Sequence, residues 1–125
     1  MIVLNPDYPQ PFGTRKIAIG VVQGPLSYVA GGQSLTPTQA GMANFDGAMP
    51  MGSSFNNSAT GGYLTQVLMP TGYAPPVANN NVAGNPPRIN AASSINLKWT
   101  AANGTEVGNN TNLSSEFVNV MFIGG

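Results

Sequence analysis

The sequence predicts an all-β domain, an antiparallel β-sandwich of jelly-roll-like type with one short helical turn and an extended amino-terminal arm. Three observations predict it. Ile95, Leu97 and Trp99 alternate with Asn96, Lys98 and Thr100, the period of a strand with one dry and one wet face. Sixteen Gly and eleven Pro cut the chain into short segments joined by turn chemistry. Helix start and stop signals occur together only between Ser34 and Gly41. No internal repeat of fixed period is present, which argues against solenoid and β-helix architectures.

In chain order, residues 1 to 13 hold Pro6, Pro9 and Pro11, each of which removes a ladder donor and fixes φ, so this segment is expected to be extended. Its Ile2, Val3, Leu4, Tyr8 and Phe12 are more apolar surface than a solvated tail carries, and they are candidates for an arm ordered on a neighbouring chain. The alternative is a frayed terminus. Residues 14 to 125 are expected to form a single domain. Arg15 to Val22 reads as a strand with Ile17, Ile19 and Val21 on one face and the smaller Ala18, Gly20 and Val22 on the other, and Leu26 to Val29 as its continuation after Gly24-Pro25. Thr36 as cap, Pro37 in the first turn and Gly41 at the close mark the helical turn. Asn44 to Met49 reads as a short strand, Gly52 to Gly62 as loop, and Gly62 to Met69 as a strand closed by Pro70. A long Pro- and Asn-rich loop follows at about 70 to 90. Strand Ile95 to Thr100, the Asn103-Gly104 turn, a polar loop over 109 to 115 and a last strand from Glu116 to Ile123 complete the chain.

Composition narrows function. The 125 residues carry four Lys plus Arg against four Asp plus Glu, a charged fraction of 6% where about 25% is usual. No basic footprint for nucleic acid exists, and no polybasic segment or apolar run of ~18 residues for a membrane. So few charges and zero net charge favour association over dispersal. With no Cys and no His, thiolate or multi-histidine zinc sites and the usual nucleophilic triads are excluded, and no cofactor is implied. Asn56, Asn103, Asn109 and Asn112 open Asn-x-Ser/Thr triplets, which arise by chance in an Asn-rich chain.

The acidic residues Asp7, Asp46, Glu106 and Glu116 are the only general acid/base candidates. Asp46 before Gly47 reads as an Asx-turn, and Glu106 and Glu116 as solvated strand ends that could meet across the polar loop. Arg15, Lys16 and Arg88 read as strand-edge charges or as partners for carboxylates of another chain. Met42, Met49 and Met51 beside Phe45 could pack a core or form an adaptable contact patch. No enzyme is indicated. The last strand is mainly apolar on both faces, Val118, Val120 and Phe122 on one and Phe117, Asn119, Met121 and Ile123 on the other; an antiparallel strand commonly keeps one face wet. Phe117, Met121 and Ile123 are therefore the candidate oligomer interface, the alternative being a strand central to the monomer.

Several stretches together resemble the small structural proteins of tailed-bacteriophage heads. They are Arg15 to Val21, Tyr28-Val-Ala-Gly-Gly-Gln-Ser-Leu-Thr-Pro-Thr-Gln-Ala-Gly-Met42, Phe45-Asp46, and Asn103-Gly-Thr-Glu-Val-Gly-Asn-Asn-Thr-Asn-Leu-Ser-Ser115 with its β-rich ending. The resemblance covers about half the chain. It implies a capsid decoration, or cement, protein on the outer surface of the virion, a homotrimer that binds the major capsid protein. A second reading is a carbohydrate- or receptor-binding module of a tail or fibre, with Trp99, Tyr63 and Tyr73 as stacking rings.

Overall fold

The computed structural model describes residues 1–56, 62–69 and 92–125. The loop expected at 70 to 90, with Tyr73 and Arg88, lies outside the described residues, as do residues 57–61. The described strands are β1 (Ile2–Leu4), β2 (Gln10–Phe12), β3 (Arg15–Gln23), β4 (Gln33–Leu35), β5 (Phe45–Pro50), β6 (Leu64–Leu68), β7 (Ile95–Thr100) and β8 (Phe117–Gly124), with a 3₁₀ turn at Pro37–Ala40. They form two antiparallel sheets, one of five strands ordered β1-β3-β8-β5 with β2 also on β3, the other ordered β4-β7-β6. The all-β, sandwich-like class read from the sequence is therefore the observed one.

The core lies between the sheets. Ile95, Leu97 and Trp99 of β7 are buried, as their alternation requires, and meet Val118, Val120 and Phe122 of β8 with Ala18 and Val22 of β3. Phe45 stacks on Phe122 with ring centroids 5.4 Å apart. Fully burying an aliphatic or phenyl side chain of this kind stabilises by about 1.5–3 kcal/mol. The turn signals act as expected: the Thr36 N–H donates to Gln39 Oε1 at 3.1 Å, and Gly41 closes the turn at φ 70°.

The amino-terminal segment departs from the expected arm on a neighbour. It is extended, but its partner here is its own chain: Ile2, Val3 and Leu4 stand opposite Val22, Val21 and Gly20, and Gln10 to Phe12 stand opposite Ile17 to Arg15. The prolines permit this because of where they fall. On this side of β3 the odd-numbered residues carry the ladder bonds, with the Asn5 N–H donating to Ile19 and the Gln23 N–H to Met1. Pro11, opposite Lys16, thus lacks an N–H that would point out of the sheet.

Leu26 to Val29 does not resume a strand. Tyr28 is instead a buried residue inside a loop, with its N–H donating to Thr111 O and its carbonyl accepting from the Asn110 N–H. The tyrosine hydroxyl finds its polar partners in the Trp99 N–H of β7 and the Glu106 carboxylate.

Candidate functional site

Residues paired across strands share a face, so the register assigns every side chain of the five-stranded sheet. On β3 the core side receives Ala18, Gly20 and Val22, the smaller row, and the outer side receives Ile17, Ile19 and Val21. Small residues on the inner row admit a close neighbour from the same sheet: a Cβ on Gly20 would lie 2.8 Å from Val3 O and 3.1 Å from Leu4 Cδ2. Opposite the outer row of β3, β8 contributes Asn119, Met121 and Ile123, and β5 contributes Gly47 and Met49. On the outer face Ile17, Ile19, Val21, Met121 and Ile123 are half-buried. Val3, Phe12 and Met49 stand out from it, 56%, 63% and 53% exposed. Phe55, bridged to Phe117, stacks its ring on that residue at 5.8 Å and extends the apolar face at one end.

The opposite end is closed by charge. Arg15 Nε donates to Asp46 Oδ2 at 2.7 Å and Nη2 to Asp46 Oδ1 at 2.6 Å, and Nη2 also reaches Asn44 Oδ1 at 2.8 Å. Asp46 thus accepts a bidentate guanidinium and does not form the expected Asx-turn; the bulge between Phe45 and Gly47 turns it towards Arg15. Asp46, Gly47, Ala48, Met49, Met121 and Ile123 line an open depression of about 250 Å³ beside this pair.

The predicted contact residues sort onto two sides. Val3 and Phe12 from the expected arm join Phe117, Met121 and Ile123 from the expected interface on this one outer face. Ile2, Leu4 and Tyr8 pack towards the core. Met49 and Met51 are exposed while Met42 and Phe45 are buried, so the expected methionine patch is divided between surface and core. Ile17, Ile19 and Phe55 were not singled out as contact residues. The signal that could have found the first two was the larger apolar row of β3, which needs a cover of its own.

Away from this face, two of the stretches quoted above, Tyr28 to Met42 and Asn103 to Ser115, meet. Glu106 Oε1 accepts from the Tyr28 hydroxyl at 2.9 Å and from the Gly31 N–H at 2.8 Å, and Asn109 Oδ1 accepts from the Ala30 N–H at 2.7 Å. The Gly31 N–H, followed by the Tyr28 hydroxyl and then the charge of Lys98, holds the Glu106 carboxyl below its usual range; slight desolvation opposes them. Burial, aided by Glu106, raises the Tyr28 hydroxyl against the lowering effect of the Trp99 N–H, which donates to that oxygen at 3.2 Å. Gly31 and Gly32 at φ 100° and 124° supply the backbone turn. These residues form a clasp between loops.

Glu116 does not behave as a solvated strand end. It is buried and accepts from Ser54 Oγ at 3.0 Å and from Asn56 Nδ2 at 2.5 Å, partners distinct from those of Glu106. Trp99 is wholly buried, its indole N–H donating to Gln33 Oε1 at 3.1 Å and its ring edge-on to Tyr63, which leaves no face for a sugar to stack on. Among the described residues no three His, Cys, Asp or Glu are grouped to hold a metal, and no helix is long and apolar enough to cross a membrane. Comparison with protein-family models, with curated proteins and with solved structures finds no match to the chain.

Proposed function

We propose that this chain is a non-enzymatic structural protein of a tailed-phage virion, a decoration protein that sits on the outer surface of the head, bridges major capsid protein subunits and associates with further copies of itself. The observation that carries a contact function is the outer sheet face, where Ile17, Ile19 and Val21 exceed in size the Ala18, Gly20 and Val22 of the core side. A free monomer gains little from placing its larger β-branched row towards water. The low charge supports the same reading, since a surface of amides and methyl groups suits close packing in an assembly. The phage setting rests on the motif resemblance. The mechanism is linkage: a protein that binds the assembled shell and not free subunits stabilises the shell by its own binding free energy.

The test is addition of the purified chain to assembled heads lacking it, followed by electron microscopy of the particles and thermal disruption of the heads. Density on the capsid with a raised disruption temperature is the expected outcome. Density confined to the tail, or binding to a glycan array, would replace this reading with the tail or fibre module.

A further inference from the structure

We propose that the outer face of the five-stranded sheet is a two-fold interface with a second copy of this chain, packed sheet on sheet. This goes beyond the decoration role, resting only on its premise that the protein works by contact.

Four features of the face select a second copy. First, both sheet edges resist strand addition. On the β1 and β2 side the edge strands are three residues each and Pro11 lacks the outward N–H. On the β5 side the Met51 N–H donates to Asn119 O, so Pro50, opposite Val120, likewise lacks the N–H that would point outward, and a bulge precedes it. Association is thereby directed from the edges to the face.

Second, the face suits an identical face electrostatically. Among the described residues its one charged pair, Arg15 with Asp46, is satisfied internally, and the chain has zero net charge. Two copies therefore meet without an unpaired charge or long-range repulsion.

Third, the size fits. β8 runs eight residues, about 26 Å at ~3.3 Å per residue, and four strand positions at ~4.8 Å span about 19 Å. One face projects at most about 500 Å², and two faces together bury at most about 1,000 Å², the lower bound for a specific interface.

Fourth, the relief is self-complementary. The projecting side chain of Met49 adjoins the depression floored by Gly47, Met121 and Ile123, so knob and hollow lie on one surface. A two-fold axis near Met121 presents each knob to the partner's hollow, which is the defining property of an isologous contact. A three-fold ring needs two different patches, and this face is a single one.

Sedimentation equilibrium of the whole chain across roughly 1–300 μM tests the proposal, with circular dichroism to confirm folding. A dimer is expected. Phe12→Lys and Met49→Lys, both at exposed positions, should each weaken it about tenfold or more, while Leu64→Lys, on the other sheet, should leave it unchanged. The absence of Cys allows a second measurement. A single Met121→Cys should be joined to its own copy by a short bis-maleimide, because residues near a two-fold axis face themselves. A monomer at all concentrations, a trimer, or a dimer indifferent to both Lys variants would overturn the proposal. A dimer that fails to bind phage heads supports this interface and overturns the decoration reading, whereas a monomer that decorates heads does the reverse.

Discussion

Arg15 on β3 and Asp46 on β5 reach one another across the end of β8, over Gly125. A Cβ at Gly125 would lie 2.7 Å from Arg15 Nη1, so the bare backbone there is what lets the guanidinium cross the intervening strand. The pair ties both neighbours of β8 together at the charged end of an otherwise apolar face. Its partners are each 36% exposed, which limits its strength. Arg15→Ala is expected to cost about 0.5–1 kcal/mol, the upper part of the range for exposed pairs because the geometry is bidentate. Urea denaturation should give that loss at low ionic strength, with the difference from wild type shrinking in 1 M salt.

Gly124 is under a stricter constraint. A Cβ there would fall 1.9 Å from Asn44 O, inside any tolerated contact. Gly124→Ala must displace the Asn44 backbone, which the N–H of Gly125 also uses as an acceptor. A loss of about 1–3 kcal/mol is expected, as for other overpacked sites, and thermal unfolding should register it as a lowered Tm. Gly47→Ala, where a Cβ meets nothing within 4 Å, is the matched control and should be close to neutral.

The Tyr28 hydroxyl serves two partners at once, accepting from the buried Trp99 N–H and donating to Glu106. Tyr28→Phe keeps the ring and leaves that N–H without its acceptor. A destabilisation of about 1–3 kcal/mol by chemical denaturation is expected. Loss of the loop clasp should also appear as faster amide exchange at Gly31.

Glu106 and Tyr28 also set the response to pH. The folded pKa of Glu106 is lowered, so its contribution is fully present above the ordinary carboxylate value of 4.5 and is lost as pH falls from there through the folded value. The folded pKa of Tyr28 is raised, so its contribution is present below pH 10 and is lost as pH rises from 10 through the folded value. Glu106→Gln should flatten the acid limb of stability against pH, and Tyr28→Phe the alkaline limb. An acid limb of unchanged slope in Glu106→Gln would assign that titration elsewhere.

Ser54 is a small residue at a crowded polar junction. Its Oγ donates to the buried Glu116 carboxylate and accepts from the Tyr63 N–H at 3.0 Å and the Gly62 N–H at 3.2 Å. Ser54→Ala withdraws one donor from a buried charge and one acceptor from two amides. The expected cost is about 1–3 kcal/mol, read from urea unfolding. Ser54→Thr, which restores the hydroxyl, should recover part of it.

Much of the architecture was legible in short stretches. The alternation Ile95, Leu97, Trp99 identified the buried row of β7, and Thr36, Pro37 and Gly41 identified the helical turn, because both are read from neighbours within a few residues. The candidate face was legible only in part. Phe117, Met121 and Ile123 stood out because β8 is apolar on both sides, but nothing in the local pattern says that Val3, Phe12 and Met49 lie beside them. The amino-terminal prolines also read as marks of an extended arm outside the sheet, since whether a missing N–H matters depends on which way it points.

By itself, then, the sequence determined the strand class, the strand periods and the places where the chain turns, all of which follow from backbone sterics and nearest neighbours. Only the tertiary structure decided which row of β3 and of β8 faces the core, because both rows of those strands are largely apolar. That choice depends on register between segments as distant as β3 and β8, and a one-residue slip would exchange the two faces. It turned the larger row of β3 outward, brought Arg15 to Asp46, and buried Glu116 beside Ser54. Arg15 with Asp46 and Glu116 with Ser54 each join residues more than thirty positions apart, and the first pair is set by the strand order β3-β8-β5 within one sheet.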